Sequence, residues 1–325
     1  MATYKEIFGT NIEVLASDPS NPVEGQVWYN STDNVVKGAA ATTVGSWATG
    51  GSLNQARAQT GAAGSDSTNA IAMGGDVPPE TSNTELYNGS AWTEVNNMNA
   101  ATRLSVGVGA DNTAALAVGG YQPPGYQSKV ESWDGSSWTE ITNTNSAKGA
   151  GGGAGTQTAA LAFAGVPGGP MTTNESWNGT TWTELADLNL GRRNGGSSGV
   201  LNTAALYFGG NYPPGNVANT EEWNGTSWTE VGDLNTARQE LGGAGTSTDA
   251  LAMSGFTPVV VANVEQWNGT SWTETTDVST ARRETQGSGN STASALLYGG
   301  KTPSITGATE EWTGAGPVTR TFTDS

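Results

Sequence analysis

The chain has 325 residues, with 13 Lys and Arg against 30 Asp and Glu, and its formal net charge is −17 at pH 7. It contains no Cys and no His, which excludes disulfides, thiolate and imidazole metal sites, Ser-His triads and Cys nucleophiles. The negative charge disfavours binding to nucleic acid and to anionic membranes, and no window approaches the roughly 20 apolar residues of a membrane span.

The first 43 residues differ in pattern from the rest of the chain. The stretch DPSNPVEGQVWYNSTDNVVKG (18–38) predicts a turn-rich lead, a strand through 27–29, a turn at 31–34 and a return strand through 35–37. One interpretation is an ordinary hairpin that caps the following domain. The other is a module that attaches the chain to a larger particle, and it depends on a resemblance described below.

One phrase then recurs along the chain with little change. It reads WNGTSWTE at Trp223 and at Trp267, and altered copies begin at Tyr87, Trp133 and Trp177. The second Trp of each phrase, together with a degenerate first copy, forms a series spaced by 44 to 46 residues: Trp47, Trp92, Trp138, Trp182, Trp228 and Trp272. This period is that of one four-stranded propeller blade.

Each repeat predicts four short antiparallel strands, named A to D here. Strand A is nearly all Gly, as in GAGGGAGT, which suits a crowded position near an axis. Strand B places large residues such as Leu251 and Met253 on one face and Ala250 and Ala252 on the other, which predicts that neighbouring sheets interlock. Strands C and D are joined by Asn-Gly or Asp-Gly, the preferred pairs of a tight hairpin turn. These Asn residues also match the glycosylation sequon, and we interpret them as turn residues.

The paired Trp residues of each phrase suit the outer part of a blade, where large rings cover the gap between neighbouring sheets. A base follows ten or eleven residues after each second Trp, in the series Arg57, Arg103, Lys148, Arg192, Arg238 and Arg282. One interpretation is a cationic mouth for an anionic ligand. The other is a structural tie to a Glu or a backbone carbonyl of a neighbouring strand. We favour the structural tie because a feature present in every repeat usually serves the repeat.

The sixth repeat lacks its own strand D. We predict that GSWATG around Trp47 supplies the missing outer strand, and the alternative is the C-terminal VTRTFTD. The predicted organisation is therefore an N-terminal attachment module at 1–43 and a six-bladed β-propeller at 44–325, with the ring closed by the strand around Trp47.

Two resemblances extend this interpretation. The repeat resembles the kelch repeat over roughly residues 44–314, through features such as Gly119-Gly120, Glu131, Trp133 and Trp138. This implies an all-β, six-bladed kelch-like β-propeller with a short N-terminal β-hairpin module. The N-terminal stretch resembles segments of bacteriophage tail and fibre proteins, through Gly25, Val27, Trp28, Tyr29, Asn30, Ser31, Thr32 and Lys37. It implies a virion structural protein that binds other virion proteins through residues 1–43. A homo-oligomer is compatible with this interpretation.

Two other classes of protein remain as alternatives. A propeller enzyme is disfavoured because a kelch-type copper oxidase needs His ligands, and a glycosidase needs a distinct carboxylate pair, whereas these acids repeat in register. A cellular kelch-type binding module is usually joined to a partner-recruiting domain, for which 43 residues are too few. We therefore expect no enzymatic activity, no cofactor and no metal.

The repeats differ most in the connections from strand B to strand C. All of these connections contain Pro, which lowers the ordering cost of binding. They predict a face that contacts a host-surface glycan or protein, or a neighbouring virion subunit. The candidate contact residues are Tyr121, Pro123, Pro124, Tyr126, Tyr212, Pro213 and Pro214. The alternative is that Pro merely ends strand B and that the loops vary because nothing constrains them.

Overall fold

A computed structural model describes residues 12–19, 22, 25–41, 44–315 and 317–322, and these residues form strands and turns without a helix. In chain order the strands are β1 (Glu13–Leu15), β2 (Val27–Asn30), β3 (Val35–Ala41), β4 (Ser46–Gly50), β5 (Gly61–Asp66), β6 (Asn69–Asp76), β7 (Glu80–Tyr87), β8 (Trp92–Val95), β9 (Val106–Asp111), β10 (Ala114–Val118), β11 (Tyr121–Gln122), β12 (Gly125–Tyr126), β13 (Val130–Trp133), β14 (Trp138–Ile141), β15 (Gly152–Thr156), β16 (Ala159–Phe163), β17 (Asn174–Trp177), β18 (Trp182–Glu184), β19 (Gly196–Leu201), β20 (Ala204–Phe208), β21 (Asn211–Tyr212), β22 (Gly215–Asn216), β23 (Thr220–Trp223), β24 (Trp228–Glu230), β25 (Gly242–Gly245), β26 (Ala250–Met253), β27 (Val264–Trp267), β28 (Trp272–Glu274), β29 (Gln286–Ser291), β30 (Ser294–Tyr298), β31 (Lys301–Thr302), β32 (Ser304–Ile305), β33 (Thr309–Thr313) and β34 (Pro317–Thr321).

The chain divides into two compact units, Met1–Ser46 with Gly314–Ser325, and Trp47–Thr313. The first unit, called the terminal unit here, contains a four-stranded sheet in the order β1-β2-β3-β34. The predicted hairpin is confirmed, because β2 pairs antiparallel with β3 and Trp28 lies opposite Lys37. Residues 1–11 of the predicted attachment module lie outside the described residues.

The C-terminal strand does not belong to the propeller-like sheets, although the domain boundary predicted from the sequence, 44–325, includes it. Strand β34 pairs antiparallel with β3 in the terminal unit. A hairpin of two strands leaves one edge of β3 with unpaired N–H and C=O groups, and an alternating segment such as VTRTFTD can satisfy them. The sequence alternation therefore identified a strand but not its partner.

Asp18 joins several residues of the terminal unit through its side chain. Its Oδ1 accepts hydrogen bonds from Trp28 Nε1 at 3.1 Å and from Asn30 Nδ2 at 2.8 Å. Its Oδ2 lies 2.9 Å from Lys37 Nζ. Asn30 Oδ1 in turn accepts from the backbone N–H groups of residues 32 and 33, which fixes the turn. The motif residues thus hold one another and the hairpin in place.

The second unit is built from six four-stranded antiparallel sheets within the described residues. Sheet 1 is β5-β6-β7-β8, sheet 2 is β9-β10-β13-β14, sheet 3 is β15-β16-β17-β18, sheet 4 is β19-β20-β23-β24, sheet 5 is β25-β26-β27-β28, and sheet 6 is β29-β30-β33-β4. The four strands predicted for each repeat are therefore confirmed. In sheet 6 the outer position is occupied by β4, which contains Trp47 and precedes sheet 1 in the chain.

Neighbouring sheets pack large side chains against small ones. Leu116 and Val118 of sheet 2 lie in one buried cluster with Ala160 and Ala162 of sheet 3, and Trp177 and Trp182 cover the outer part of this contact. The same arrangement joins sheet 6 to sheet 1, where Leu296 and Tyr298 meet Ala70, Ala72 and Trp92. The innermost strand β5 contacts both β9 and β29. The interlocking predicted from strand B is confirmed, and the fold is all-β and propeller-like.

The second Trp residues of the phrases lie between the sheets, as buried members of these clusters: Trp92, Trp138, Trp182, Trp228 and Trp272. Trp47 occupies the corresponding place in sheet 6 but is only half-buried. Its ring lies 5.1 Å from that of Trp312, and its Nε1 donates to the backbone oxygen of Thr276 at 2.9 Å. This indole thus packs between sheet 5 and the sheet that β4 completes.

The turn between strands C and D uses its polar residue as a local acceptor. Asn88 Oδ1 accepts hydrogen bonds from the N–H groups of Ser90 and Ala91, both at 3.0 Å. Asp134 makes the equivalent bonds to Ser136 and Ser137. Gly89 has φ +89°, a backbone conformation that favours Gly. The turn role of these Asn and Asp residues is confirmed.

Sheets 2, 4 and 6 differ from sheets 1, 3 and 5 in their B–C connections. Each even-numbered sheet carries an additional two-stranded hairpin, β11–β12, β21–β22 or β31–β32. The Trp spacing is 46 residues across sheets 2 and 4 and 44 residues across sheets 3 and 5, and a longer B–C connection accounts for one of the two extra residues. The even-numbered and odd-numbered sheets thus differ at this face, a distinction on which the candidate site depends.

Candidate binding face at the B–C connections

Five of the six bases predicted as a structural ring lie in fully buried ion pairs. Each pairs with the Glu of strand C in the sheet that follows it: Arg57 with Glu85, Lys148 with Glu175, Arg192 with Glu221, Arg238 with Glu265, and Arg282 with Glu310. Arg192 also donates to the backbone oxygens of Tyr207 at 2.7 Å and Gly209 at 3.0 Å. These bases tie the D–A connection to its sheet and have no exposed charge to offer a ligand.

Arg103 does not belong to this ring, and its assignment from the sequence requires correction. It stands eleven residues after Trp92, whereas the five buried bases stand ten residues after their Trp, and Thr102 occupies the tenth position. Arg103 is partly exposed, and its Nε lies 3.0 Å from Glu80 Oε1. Its guanidinium also lies over the ring of Tyr121 at 4.8 Å. A displacement by one residue moves the side chain from the core to the B–C face.

Sequence reasoning missed the second partner of each strand C Glu. A side-chain amide stands seven residues after the Trp in five repeats and donates to the second Glu oxygen: Asn54, Asn99, Asn145, Asn189 and Asn235. Sheet 2 has no buried base at this position. Its Glu131 is held instead by Asn99, whose backbone N–H and side-chain amide both donate to Glu131 Oε2. The fixed spacing of Asn was the available signal.

Burial and hydrogen bonding act in opposite directions on one of these carboxylates. Burial raises the pKa of Glu175, but the Asn145 N–H and the charge of Lys148 outweigh it, so the pKa lies below its usual value. Burial lowers the pKa of Lys148, and the carboxylate of Glu175 opposes that effect only in part. The pair is almost fully removed from water.

A series of backbone hydrogen bonds joins neighbouring sheets at the start of the A strands. The residue at this position has positive φ in every sheet: Gln59, Leu104, Ala150, Asn194, Glu240 and Glu284, called the rim residues here. The N–H of Leu104 donates to Gln59 O at 2.8 Å, and the N–H of Asn194 donates to Ala150 O at 2.8 Å. The N–H of Gln59 donates to Glu284 O at 3.0 Å, which links sheet 1 to sheet 6.

Below the rim the six A strands enclose a narrow cavity of about 140 Å³. Its wall is mostly Gly, Ala and Ser. Ser105 and Ser288 line it with buried hydroxyl groups that have no hydrogen-bond partner among the described residues. A space of this size with polar walls has room for a few water molecules, which would satisfy those hydroxyls.

Three arginines surround the rim at equivalent positions in the even-numbered sheets: Arg103, Arg193 and Arg283. Each forms a backbone bridge with the first residue of the B–C hairpin, which places it beside that hairpin. Arg283 Nη1 lies 3.5 Å from Glu240 Oε2, and Lys301 Nζ lies 2.7 Å from Glu284 Oε2. The rim therefore combines partly exposed bases with partly buried acids.

The carboxyl of Glu240 is the perturbed acid of this region. Burial raises its pKa, and the nearby carboxylate of Glu284 raises it further, while Arg283, Lys301 and Arg193 act in the opposite direction. Glu240 and Glu284 are acids that do not repeat around the sheets, because the equivalent residues are Gln, Leu, Ala and Asn. Each of the two is paired with a base, so the site resembles a charge network more than a free acid and base.

The candidate contact residues divide into two groups. Tyr121 and Tyr126 pair across β11–β12, their rings lie 5.3 Å apart at an interplanar angle of 72°, and both are half-buried. A Cβ at Gly149 would lie 2.6 Å from the ring of Tyr126, so this ring fills a structural space. Tyr212, by contrast, is 47% exposed. The four prolines lie exposed at the hairpin tips: Pro123, Pro124, Pro213 and Pro214.

Within the described ranges no helix is long and apolar enough to cross a membrane. The described residues also contain no cluster of three or more acidic side chains that could hold a metal ion. Comparison with protein-family models and with curated proteins finds no match for this chain. Function must therefore be inferred from the residues and their geometry.

Proposed function

We propose that residues 44–313 form a six-bladed kelch-like β-propeller, closed by β4, in a structural and binding protein of a bacteriophage virion. The closure is supported by β4 in the outer position of sheet 6 and by the hydrogen bond from Gln59 to Glu284, which joins the first repeat to the last. It is also supported by the contact of Trp47 with Trp312. A closed ring protects the sheet edges that would otherwise pair with other chains.

The protein binds a partner rather than catalysing a reaction. The observation that carries this proposal is the contrast between a buried, repeated framework and exposed, variable hairpins at one end of it. The tips at Pro123 and Pro124 and at Pro213 and Pro214 stand out from a framework whose ion pairs are buried. Rigid loops that vary on a regular scaffold are the usual location of recognition. The partner is a host-surface glycan or protein, or a neighbouring virion subunit.

The terminal unit attaches the chain to other virion proteins. It forms its own sheet, with β1 and β34 at its two edges among the described residues. Val14 on β1 is 66% exposed and Phe322 beyond β34 is 54% exposed. Open strand edges with apolar residues are sites at which another chain can add a strand. The proposed location is therefore the virion.

Purified particles of the virus whose genome encodes the chain test this proposal. We expect mass spectrometry to detect the chain in washed particles, and antibodies against Trp47–Thr313 to label the particle surface in electron micrographs. We also expect the purified full-length chain to compete with particles for adsorption to host cells.

The result that overturns the virion assignment is absence of the chain from washed particles. If particles contain the chain but the purified chain does not compete for adsorption, the attachment role is wrong and the role in assembly stands. A chain that converts glycans in solution, as judged by mass spectrometry of the products, would overturn the noncatalytic assignment.

A further inference from the structure

The three rim arginines are equivalent in position but not in environment. Arg103 lies 3.0 Å from Glu80, and Arg283 lies 3.5 Å from Glu240. Arg193 has no carboxylate within salt-bridge distance among the described residues. The Nε atoms of Arg103 and Arg193 are both buried without a hydrogen-bond partner there, so the difference between the two is the carboxylate. A guanidinium that lacks a carboxylate partner can bind one from a ligand through charge-assisted hydrogen bonds.

The reason for the difference is the rim residue of the preceding sheet. Arg283 of sheet 6 reaches Glu240 of sheet 5, and Arg103 of sheet 2 reaches Gln59 Oε1 of sheet 1 at 3.4 Å. The corresponding residue for Arg193 of sheet 4 is Ala150 of sheet 3, whose oxygen accepts from the N–H of Asn194 at 2.8 Å. The methyl group of Ala150 therefore occupies the position at which Gln59 and Glu240 supply a hydrogen-bond acceptor.

Arg193 is bridged to Asn211, and the exposed Tyr212 follows in the hairpin. In the preceding sheet, a Cβ built at Gly168 or at Gly169 would meet nothing within 4 Å, so the tip of that B–C loop is uncrowded. The site thus combines a guanidinium without a carboxylate partner and a flat ring with a hydroxyl group.

We propose that Arg193 binds the carboxylate of an acidic sugar, in the place that Glu240 occupies beside Arg283, and that Tyr212 packs against the sugar ring. A guanidinium binds a carboxylate through charge-assisted, often bidentate, hydrogen bonds. A ligand with one carboxylate is favoured over a polyanion, because the net charge of −17 repels repeated negative charge. This inference rests on the proposed function in one respect, namely that the B–C face is the binding face.

Saturation-transfer NMR on the purified full-length chain tests the site with four probes. The probes are the methyl glycoside of N-acetylneuraminic acid, methyl glucuronide, the methyl ester of that glucuronide, and methyl galactoside. We expect signals from one or both acids and none from the ester or the neutral galactoside. A short acidic peptide serves as the probe for a protein partner. The Arg193 Nε–H resonance, assigned with an Arg193→Lys variant, should shift on binding.

Ala150→Glu is the decisive variant, because it would supply from within the chain the carboxylate that the site lacks. Ala150 has φ +55° and Glu240 has φ +59°, so the backbone at this position accepts Glu. We expect Ala150→Glu to weaken binding of the acidic sugar about tenfold or more, as expected for loss of a hydrogen-bonded charge pair. Ala150→Gln is the matched control, of nearly equal size but without charge, and it should retain most of the affinity.

Several outcomes overturn the proposal. Equal binding of the glucuronide and its ester would show that the protein does not recognise the carboxylate. Unchanged affinity in Ala150→Glu would place the ligand elsewhere, and binding of the acidic peptide without the sugars would replace the sugar by a protein partner. If none of the probes binds, this inference is overturned, but the virion assignment, which particle labelling tests, stands. If the chain binds the acidic sugar but is absent from particles, this inference stands and the virion assignment is overturned.

Discussion

Arg192 and Arg193 are consecutive in the chain but belong to two different regions of the molecule. Arg192 is fully buried and bonded to Glu221, Tyr207 and Gly209. Arg193 lies at the rim, without a carboxylate partner among the described residues. The repeated framework thus satisfies its charges internally, whereas the rim varies from sheet to sheet. The comparison teaches that the position of a residue in the repeat decides its role, since the two side chains are chemically identical.

Arg192→Met tests the framework side of the comparison and should have the largest effect. It leaves Glu221 buried without its base, and loss of one partner of a buried ion pair costs about 3–5 kcal/mol. Arg193→Met, at the adjacent position, should change the free energy of unfolding by about 0.5 kcal/mol or less. Urea denaturation followed by Trp fluorescence measures both. Equal losses in the two variants would remove the distinction between framework and rim.

Trp47→Ala tests whether the strand that precedes sheet 1 belongs to the framework. Trp47 is half-buried against Trp312, so the loss should be smaller than for a fully buried indole, about 2 kcal/mol. Trp47→Phe should recover part of it, because a ring is retained. Thermal unfolding of both variants provides the measurement, and a stability equal to that of the parent would show that the Trp47 contact contributes nothing to the stability of sheet 6.

Glu175→Gln and Glu240→Gln should change the pH dependence of stability in opposite directions. The pKa of Glu175 is lowered in the folded chain, so its stabilisation exists above the unfolded pKa near 4.5 and is lost as pH falls below it. The pKa of Glu240 is raised, so the folded state favours its protonated form and loses stability as pH rises above about 4.5. Relative to the parent, Glu175→Gln should be less acid-sensitive, and Glu240→Gln should lose less stability between about pH 4.5 and 7.

Urea denaturation at closely spaced pH values between about 3 and 7 measures these slopes. Two variants with the same change in slope would contradict the assignment of Glu175 to the framework and Glu240 to the rim. The Gln substitutions keep the size of each side chain, so a difference in packing is not expected to obscure the comparison.

Ala150→Glu should have the smallest effect on stability, but it tests the difference between Arg193 and Arg283 most directly. The new carboxylate would give Arg193 an internal partner like that of Arg283, and a partly exposed pair contributes about 0–1 kcal/mol. We expect a slight rise in the midpoint of unfolding at low salt, which falls away as salt screens the pair. A marked destabilisation would show that a Glu side chain at position 150 does not fit beside Arg193.

Much of the fold could be predicted because the same pattern of turns and strands repeats six times in the sequence. The Asn-Gly turns, the large and small faces of strand B and the Trp of strand D all repeat, so each copy corroborates the others. The terminal hairpin was also predictable from its turn and flanking strands. The rim was not predictable in this way, because Ala150, Glu240 and Arg193 differ from the residues at the equivalent positions of the other sheets. A single repeat also gives no sign of which neighbouring side chain each of them meets.

The sequence by itself determined the period and the strand class of each segment, and it favoured a structural role for the repeated bases without identifying their partners. These follow from local turn chemistry and side-chain alternation, which act over a few residues. Only the tertiary structure decided that β34 pairs with β3, and that Arg103 lies on the B–C face rather than in the core. Free strand edges accept any alternating partner, and a shift of one residue reverses the direction of a side chain. Such choices depend on neighbours that are distant in the chain.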